Sequence, residues 1–459
     1  MALIGQVKRA ARPRHTVSHS PPKPTSAHRS GPLSGHVRVP GDKSISHRAL
    51  MLGALAAGTT RITGLLEAED VLNTAKSVAA LGASVERRDD GSYEVRGRGV
   101  GGLSQPTGPL DFGNSGTGCR LMMGVVAGHD IEVEMIGDAS LSRRPMRRVL
   151  TPLRQMGLSV REDRDTLPLA VRGTSSLVPI EYATPVPSAQ VKSAVLFAGL
   201  AATGETTVIE REATRDHTER MFRYFGADVR TAERDGRHAI TVVGDAELEG
   251  RPVVVPADPS SAAFLVAAAA IVPGSEVTIE GVLVNETRTG FYTTLREMGA
   301  DITFLSPREE NGEPIADIRI RHRALTGVIV PAARAPSMID EYPVLSAVAA
   351  FARGETRMEG LAELKVKESD RLAATAAGLA ANGVGARVDG DTLIVEGRGM
   401  ASGGGTVVTH MDHRIAMAFL ILGLGSDRPV TIDDITFVAT SFPAFTGLMT
   451  GLGAKLETR

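Results

Sequence analysis

Residues 341–384 read EYPVLSAVAAFARGETRMEGLAELKVKESDRLAATAAGLAANGV and contain one copy of the pattern that determines the fold. Residues 341–352 are apolar on nearly every side, which is typical of a buried helix, and Thr356-Arg-Met-Glu-Gly360 has the character of a short strand. Residues 370–381 mix polar positions with Leu and Ala, which predicts a half-exposed helix. The stretch closes at Asn382-Gly383-Val384 and therefore predicts a helix–strand–helix unit that ends at a glycine.

The same unit occurs six times along the chain. Its closing glycines are Gly82, Gly157, Gly226, Gly299, Gly383 and Gly453, at intervals of 75, 69, 73, 84 and 70 residues. Units of about 70 residues bury too little surface to be stable alone, so we expect them to group three and three. Val39-Pro40-Gly41 and Val255-Pro256-Ala257 look alike and mark the expected crossings between the two groups.

These features predict an α/β fold of two lobes with three repeats each. Residues 33–40 and 257–459 are expected to form lobe one, and residues 41–256 lobe two. A cleft between lobes is a common place for a ligand, so the active site is expected there. The apolar helix of each unit is expected to end at or near a glycine in the left-handed backbone conformation. These glycines are Gly58, Gly128, Gly204, Gly274, Gly354 and Gly425.

Charge and composition exclude several classes of protein. The chain has 459 residues with 51 Lys and Arg against 53 Asp and Glu, so no overall basic field favours nucleic-acid binding. The longest apolar run, residues 262–272, is too short for a membrane span, which takes about 20 residues. Cys119 is the single cysteine, which excludes an intrachain disulfide and fits a reducing compartment. A cytoplasmic protein that binds neither nucleic acid nor membrane is expected.

The beginning of the chain differs in composition from the rest. Residues 1–32 are rich in Pro, Ser, His, Lys and Arg, and no acidic residue occurs before Asp42. Such a segment cannot bury a core of its own, so we predict a disordered basic tail. An organelle transit peptide is the alternative, which the lack of an amphipathic apolar face disfavours.

Candidate functional residues lie at the starts of the predicted helices. Unpaired backbone N–H groups make a helix N-terminus an anion site, and Ser, Gly, Lys and Arg reinforce it. The first turns of the buried helices contain Gly41-Asp-Lys-Ser44, Gly113-Asn-Ser-Gly116, Ser188-Ala-Gln190, Asp258-Pro-Ser260, Ser337-Met-Ile-Asp340 and Asp412-His-Arg414. Further charged sets are Arg143-Arg144, Arg215-Asp-His217 and Lys367-Glu-Ser-Asp-Arg371. Together they indicate a site for more than one acidic group.

Simpler roles are open for many of these residues taken singly. Four of them have the chemistry of ordinary helix N-caps, namely Asn114, Ser188, Asp258 and Asp340. Three arginines fit solvated surface charges, namely Arg143, Arg144 and Arg371. The histidines lack a zinc-ligand spacing, which favours hydrogen-bonding roles for His47, His217 and His413. Cys119 is expected to be a packed thiol, and no metal is expected.

Gly41-Asp-Lys-Ser44 also invites comparison with a phosphate-binding P-loop. That motif requires Gly directly before Lys, whereas Asp42 occupies this position. A nucleoside-triphosphatase function is therefore rejected.

In order along residues 33–459, the motifs resemble those of the EPSP synthase family. They are Gly41-Asp-Lys-Ser-Ile-Ser-His-Arg48, Gly113-Asn-Ser-Gly-Thr117, Arg143-Arg-Pro-Met146, Ser188-Ala-Gln190, Thr214-Arg-Asp-His217, Ser337-Met-Ile-Asp-Glu-Tyr-Pro343, Lys367-Glu-Ser-Asp-Arg371 and Asp412-His-Arg-Ile-Ala-Met417. The resemblance implies two lobes of three βαβαββ units, an inside-out α/β barrel. It also implies transfer of the enolpyruvyl group of phosphoenolpyruvate to the 5-hydroxyl of shikimate 3-phosphate, with release of phosphate. No cofactor is implied, the two substrates are the expected partners, and we expect a monomer.

The resemblance also implies roles for individual residues. Shikimate 3-phosphate would be bound by Lys43, Ser44, Arg48, Ser188, Ala189, Gln190, Arg215, Asp340 and Lys367. Phosphoenolpyruvate would be bound by Lys43, Asn114, Gly116, Arg144, Gln190, Arg371 and Arg414. Asp340 would take the proton of the 5-hydroxyl, while Lys43 and Glu368 would serve the later proton transfers. Neighbouring cations should keep Asp340 ionised as a base, whereas Glu368 needs burial or a proton relay to act as an acid.

Two positions relate the chain to branches of the family. Residues 439–443 read Ala-Thr-Ser-Phe-Pro, where many members have a Lys that contacts phosphoenolpyruvate, and this resembles the class II bacterial branch. Gly116 occupies the position where glyphosate-tolerant members of that branch have Ala. We therefore expect glyphosate to bind here.

Two other functions are possible for such a repeat protein. The sister enolpyruvyl transferase that acts on UDP-N-acetylglucosamine has Lys-Asn near its start and a cysteine in a mobile loop, whereas here Ser44 follows Lys43 and Cys119 lies in a predicted helix. A non-catalytic ring or clamp would repeat its surface chemistry. The six helix starts of this chain are chemically distinct, which disfavours a clamp.

Overall fold

The structure is a computed structural model that describes residues 21–459, so the predicted tail at residues 1–20 lies outside the described residues. Residues 21–459 contain twelve α-helices: α1 Lys43–Leu55, α2 Glu69–Ala80, α3 Gly116–Ala127, α4 Arg147–Met156, α5 Ala189–Gly199, α6 His217–Tyr224, α7 Pro259–Ile271, α8 Gly290–Glu297, α9 Tyr342–Ala349, α10 Arg371–Ala381, α11 His413–Gly425 and α12 Phe445–Gly451.

The same part of the chain contains 24 strands. They are β1 Thr25–His28, β2 Ser34–Val37, β3 Thr59–Thr63, β4 Ser84–Arg87, β5 Tyr93–Arg96, β6 Leu110–Asp111, β7 Glu132–Ile136, β8 Ser159–Val160, β9 Leu169–Arg172, β10 Glu181–Ala183, β11 Glu205–Glu210, β12 Val229–Arg234, β13 Arg237–Val243, β14 Val253–Val254, β15 Glu276–Leu283, β16 Asp301–Glu310, β17 Glu313–Arg321, β18 Ile329–Val330, β19 Arg353–Met358, β20 Gly385–Asp389, β21 Thr392–Arg398, β22 Thr406–Val407, β23 Val430–Ile432 and β24 Lys455–Thr458.

The strands form six sheets of four strands with one common topology. The orders are β14-β3-β5-β4, β6-β7-β9-β8, β10-β11-β13-β12, β2-β15-β17-β16, β18-β19-β21-β20 and β22-β23-β1-β24. In each sheet the first pair is parallel and the other two pairs are antiparallel. The six predicted repeats and the α/β fold class are therefore confirmed.

The apolar helices lie inside the molecule and the sheets cover them. One hydrophobic core extends from Ile45 to Val255 and includes α1, α3 and α5. The other combines residues 27–39 with residues 257–454 and includes α7, α9 and α11. All thirteen residues of α7 are buried, because its Ala, Val, Leu and Phe side chains leave no polar face. By contrast, α2 and α10 keep exposed positions, as expected for the outer helix of each unit.

The chain passes between the two cores at two adjacent points. The backbone N–H of Asp42 donates to the carbonyl of Pro256 at 2.7 Å, and that of Asp258 donates to the carbonyl of Pro40 at 2.9 Å. Helices α1 and α7 begin directly after these crossings. Their N-termini are therefore held side by side.

The predicted disordered tail is wrong for the part from Thr25 onward. Strand β1 lies in the centre of the sixth sheet, between β23 and β24, and Thr25 and Ala27 have 0% exposure. Each of the other units supplies two strands after its second helix. The sixth unit supplies only β24 after α12, and β1 takes the position of the second strand. Composition did not indicate this because the strand is short and polar, and its partners lie about 400 residues away in sequence.

The glycine predictions for the helix ends are only partly correct. Gly58, Gly204, Gly274 and Gly354 have a positive φ, and each lies in or next to the turn into the following strand. Gly128 has a φ of −83° and Gly425 is the last residue of α11, so neither is a left-handed cap. None of the helices within residues 21–459 is both long and apolar enough to cross a bilayer.

Candidate active site

The N-terminus of α1 presents Lys43 and Ser44. Asp42 caps the helix by accepting from the N–H of Ile45 at 2.8 Å, which sets the direction of the first turn. The Lys43 ammonium donates to the buried carboxylate of Asp70 at 3.0 Å. Ser44 is half-buried, and its carbonyl accepts from Arg48 at 3.0 Å. Asp70 was missed in the sequence because it is the second residue of an otherwise ordinary outer helix.

Arg48 is buried one turn further along α1. Its guanidinium donates to Thr218 Oγ1 at 2.7 Å and to Ser193 Oγ at 2.8 Å, and both hydroxyls are buried. Burial lowers the pKa of Arg48 to about 10, so the side chain remains positively charged at neutral pH. A buried cation held by hydroxyls rather than by a direct carboxylate partner is suited to binding an anion.

The N-terminus of α3 contains Asn114 and Gly116. Ser115, and not Asn114, is the N-cap, so the predicted capping role of Asn114 is wrong. Asn114 instead donates to Asp138 Oδ2 at 2.6 Å, while Arg144 donates to the Asn114 carbonyl at 3.3 Å. Gly116 is the first residue of α3. A Cβ atom added to it would lie 3.2 Å from the guanidinium of Arg144.

Gln190 connects the second and third buried helices. Its carbonyl oxygen accepts from Arg120 at 2.9 Å, and its amide donates to Thr117 Oγ1 at 3.0 Å. Ser188 caps α5 by accepting from Val191 at 3.4 Å, as predicted for a simple cap. Ala189 is the first residue of this helix. Arg120 was overlooked, although it lies four residues after Gly116 on the same helix face, a spacing that the sequence displays.

Asp340 is the centre of the cationic cluster. Its carboxylate accepts from Arg215 at 2.7 Å and from Arg371 at 3.1 Å, and Lys367 lies at 3.5 Å. Burial alone would raise the pKa of Asp340, but four cations hold it well below its ordinary value. These cations, in order of decreasing effect, are Lys367, Arg414, Arg215 and Arg371. Asp340 is therefore ionised, and it is not the cap of α9, since that residue is Glu341.

Glu368 lies between two of the arginines. Its carboxylate contacts Arg371 within hydrogen-bond distance and Arg144 at 3.8 Å. Burial acts to raise the pKa of Glu368, but Arg371 and Arg144 outweigh it and hold the pKa well below its ordinary value. Glu368 is thus held as a carboxylate by the side chains around it.

Two of the three arginines with a possible surface role are buried. Arg371 is 1% exposed and donates from Nε to Asp412 Oδ2 at 2.8 Å, while Arg144 is 8% exposed. Only Arg143 lies on the surface. Asp412, which the sequence motif leaves without a role, both caps α11 and accepts from Arg371.

The remaining predicted side chains have structural contacts. Cys119 is fully buried, and burial raises the pKa of its thiol to about 12, which confirms a packed thiol. His47 pairs with Thr74 at 2.8 Å and His217 with Glu313 at 2.8 Å, as expected for hydrogen-bonding roles. His413 differs from this expectation, because its buried Nε2 has no hydrogen-bond partner within residues 21–459. Burial lowers the pKa of His413 to about 3, with the charge of Lys43 adding to this effect.

The site joins both cores. Arg144 and Arg215 come from residues 41–256 and contact Glu368 and Asp340 of the other core. The predicted substrate-binding cations are therefore brought together, with Arg120 in addition. Among the described residues 21–459, this region contains eight cations: Lys43, Arg48, Arg120, Arg144, Arg215, Lys367, Arg371 and Arg414. Such a concentration of positive charge at helix N-termini is suited to small, highly anionic substrates.

Comparison with known proteins gives one consistent result. The family model for EPSP synthase (3-phosphoshikimate 1-carboxyvinyltransferase) matches residues 27–449. The chain belongs to the EPSP synthase family. The 3-phosphoshikimate 1-carboxyvinyltransferase of Paramagnetospirillum magneticum is 62% identical over 438 residues, which cover 95% of this chain and 98% of that protein. That of Bradyrhizobium diazoefficiens is 60% identical over 440 residues, with 95% and 94% covered.

Solved structures agree with this assignment. An EPSP synthase structure from Acinetobacter baumannii has a TM-score of 0.85 and 44% sequence identity, and the match covers 95% of this chain and 100% of that one. As a member of the EPSP synthase family, the chain is a transferase of aromatic amino acid biosynthesis. It transfers the enolpyruvyl group of phosphoenolpyruvate to shikimate 3-phosphate.

Proposed function

We propose that the two substrates occupy the cationic cluster around Asp340, with shikimate 3-phosphate against α1 and α5. In this arrangement the phosphate is bound beside Arg48 and Arg215 and at the N-terminus of α5. The proposed ligands are Lys43, Ser44, Arg48, Ser188, Ala189, Gln190, Arg215, Asp340 and Lys367. The buried Arg48 supports this assignment, since its guanidinium donates to two hydroxyls and the Ser44 carbonyl and has no direct carboxylate partner within residues 21–459.

Phosphoenolpyruvate is proposed to lie at the N-terminus of α3, where both cores contribute cations. Its phosphate and carboxylate together need several positive charges, and planar guanidinium groups match both. The proposed ligands are Lys43, Asn114, Gly116, Arg144, Gln190, Arg371 and Arg414. Arg371 and Arg144 already converge on Glu368, which supports this position.

The proposed mechanism begins at Asp340. Its carboxylate accepts the proton of the 5-hydroxyl as the hydroxyl oxygen attacks C2 of phosphoenolpyruvate, and C3 receives a proton to form a methyl group. The tetrahedral intermediate then loses phosphate from C2 and a proton from C3, which restores the enol ether. The low pKa of Asp340 keeps its carboxylate ionised and free to accept a proton. Because a low pKa also weakens a base, bound substrates must draw the neighbouring cations away from Asp340 before it accepts the proton.

Lys43 and Glu368 are proposed to exchange the proton at C3. Arg371 and Arg144 stabilise the charge of Glu368 and hold its pKa well below its ordinary value. Two anionic substrates bound to these arginines would compete for their charge and raise the pKa of Glu368. Glu368 would then gain the proton that an acid requires.

We further propose a lobe boundary at residues 40–41 and 256–257, with a monomeric, cytoplasmic enzyme. The two separate cores support this boundary, and β1 and β2 extend lobe one to residues 25–40. The active site combines residues of one chain from both cores, so no second copy is needed to complete it. Size-exclusion chromatography with light scattering tests the monomer.

A phosphate-release assay with both substrates tests the proposed roles. Asp340→Asn removes the base and leaves four cations without their shared carboxylate, so kcat should fall by about 10²–10⁴-fold while KM does not rise. Lys43→Met should lower both kcat and the affinity for phosphoenolpyruvate. Asp391→Asn, which affects an exposed ion pair with Lys365, is the matched control. Full activity of Asp340→Asn would exclude Asp340 as the base.

A further inference from the structure

Arg288 lies at the crossing between the two cores and has no role in the proposed chemistry. It ends the 3-10 turn Glu286–Arg288, before α8, and is 3% exposed. A buried guanidinium is costly unless its donors meet acceptors, so its partners show what it holds in place.

The two branches of the guanidinium reach opposite sides of the crossing. One branch donates to Asp42 Oδ2 at 2.9 Å, and Asp42 is the N-cap of α1. The other donates to Asp258 Oδ1 at 3.2 Å, and Asp258 is the N-cap of α7. One side chain therefore ties together the caps of the two helices that begin where the chain crosses.

Further contacts connect Arg288 with the substrate-binding segments. Its first branch also lies 3.3 Å from His217 Nε2, two residues after Arg215. Its second branch donates to Ser260 Oγ at 3.0 Å, and this hydroxyl contacts Glu341, which follows Asp340.

We propose that Arg288 is a positioning residue that fixes the α1, Arg215 and Asp340 segments relative to one another, so that residues from both cores meet the same substrate molecule. The inference rests on the proposed substrate placement. It adds a residue that touches neither substrate.

The local electrostatics support this arrangement. Asp42 and Asp258 are both buried, and without Arg288 their charges would repel each other across the crossing. Burial, with the neighbouring charge of Asp42, raises the pKa of Asp258 to about 6, and Arg288 and Arg414 oppose this rise. Arg288 is therefore the cation that allows two acidic caps to stand side by side.

A group of three potential metal ligands beside Arg288 is unsuited to a metal ion. Asp216, His217 and Glu313 are close enough to one another to share an ion. Asn285 donates to both carboxylates, at 2.6 and 2.8 Å, and Arg288 lies against His217. Donors of the protein thus already occupy these ligand atoms.

Arg288→Met and Arg288→Lys test the inference through steady-state kinetics for each substrate. The segments that Arg288 connects carry Lys43, Arg215 and Asp340, which are proposed ligands of shikimate 3-phosphate from both cores, and Asp340 is also the proposed base. Arg288→Met should therefore lower kcat by about 10²-fold, a loss typical of small misplacements, and weaken the binding of shikimate 3-phosphate. The affinity for phosphoenolpyruvate should change less, because Arg215 and Asp340 are not among its proposed ligands. Arg288→Lys keeps the positive charge but lacks the planar guanidinium that contacts both cap carboxylates. It should therefore retain only part of the wild-type activity.

Tyr292→Phe separates positioning from stability. Tyr292 is buried and donates to the carbonyl of Pro259 at 2.7 Å in the first turn of α7, without contacting either cap carboxylate. Its loss should lower the melting temperature while kcat and KM are kept. If Arg288→Met fails to fold, Asp42→Asn replaces it, because Asn still caps α1 but lacks the charge that pairs with Arg288.

The kinetic results decide between clear outcomes. Wild-type kcat and KM values in Arg288→Met, or in Asp42→Asn where Arg288→Met does not fold, would overturn the inference even if the melting temperature falls. Equal weakening of binding for both substrates with kcat unchanged would also overturn it. A fully active Asp340→Asn would instead overturn the proposed function on which the inference rests.

Discussion

Gly116 determines how closely two arginines can approach the N-terminus of α3. A Cβ atom at this position would lie 2.9 Å from Arg120 and 3.2 Å from Arg144, in both cases from the guanidinium. These side-chain ends can shift, so a methyl group is tolerated by the fold. The shift would move positive charge within the proposed phosphoenolpyruvate site.

Gly116→Ala should therefore weaken the binding of glyphosate, which the unmodified chain is expected to bind. An overpacked contact of this kind costs about 1–3 kcal/mol, which corresponds to a loss of about 5- to 150-fold in inhibitor affinity. Inhibition curves at fixed phosphoenolpyruvate measure the effect, and the KM for phosphoenolpyruvate should rise as well. Identical curves for the two enzymes would contradict this prediction.

Cys119 should resist alkylation in the folded enzyme. The thiolate is the reactive form, and burial raises the pKa of this thiol to about 12. At pH 8 the native thiol is thus both protonated and inaccessible. After iodoacetamide treatment, mass spectrometry should find no adduct on the native protein and a single adduct on the protein in denaturant. Rapid labelling of the native, active enzyme would show that this helix opens.

Single residues also show where sequence analysis reaches its limit in the site. Lys43, Arg215 and Asp340 were found because their motifs are local. Asp70, Asp138 and Arg120 were missed, since each acts on a residue brought near only by the fold.

The close approach of α10 and α11 depends on one glycine. A Cβ atom at Gly378 would lie 2.2 Å from the ring of Phe419, which is itself buried. The helices can pack at this distance only because Gly378 has no side chain. The pair matters for function because α10 begins with Arg371 and α11 with His413-Arg414.

Gly378→Ala should lower the free energy of unfolding by about 1–3 kcal/mol through overpacking. Gly447→Ala in α12 is the matched control, because its Cβ would meet nothing within 4 Å. It should raise stability by about 0.5–1 kcal/mol, since alanine favours a helix over glycine. Urea unfolding of both variants measures the difference, and equal stabilities would contradict the packing argument.

Elements were predicted well where their pattern is local and repeated. The six buried helices and the strands after them were identified from apolar runs and closing glycines. Strand β1 was not, because its place is determined by β23 and β24 at the other end of the chain. Its sequence, Thr-Ser-Ala-His, contains no local signal for a strand.

At the scale of the whole molecule, an exposed ion pair connects the two cores in addition to the buried contacts of the site. Arg148 of α4 donates to Glu363 at 2.9 Å, across from one core to the other, and both side chains are more than one-third exposed. Exposed ion pairs of this kind contribute about 0.2–1 kcal/mol and weaken in salt. The pair can favour the observed arrangement of the two cores but cannot fix it alone.

Arg148→Ala should therefore raise the ligand-free radius of gyration at low salt. The increase should vanish in about 1 M salt, where screening removes the pair from the unmodified enzyme as well. Small-angle X-ray scattering with and without both substrates measures it, and substrates should restore the compact form because their charges bind the cationic cluster. An unchanged radius in every condition would show that the pair does not influence closure.

The insertion of the first strand into the last sheet has a consequence for the order of biosynthesis. A ribosome releases residues 45–255, which hold a complete core, long before β24 exists, so this half can fold while translation continues. Strand β1 is made before this half yet must wait for its neighbours β23 and β24, which are synthesised about 400 residues later. The other core is thus completed only once β24 has been made, and products truncated before β23 would carry an unpaired strand that invites aggregation.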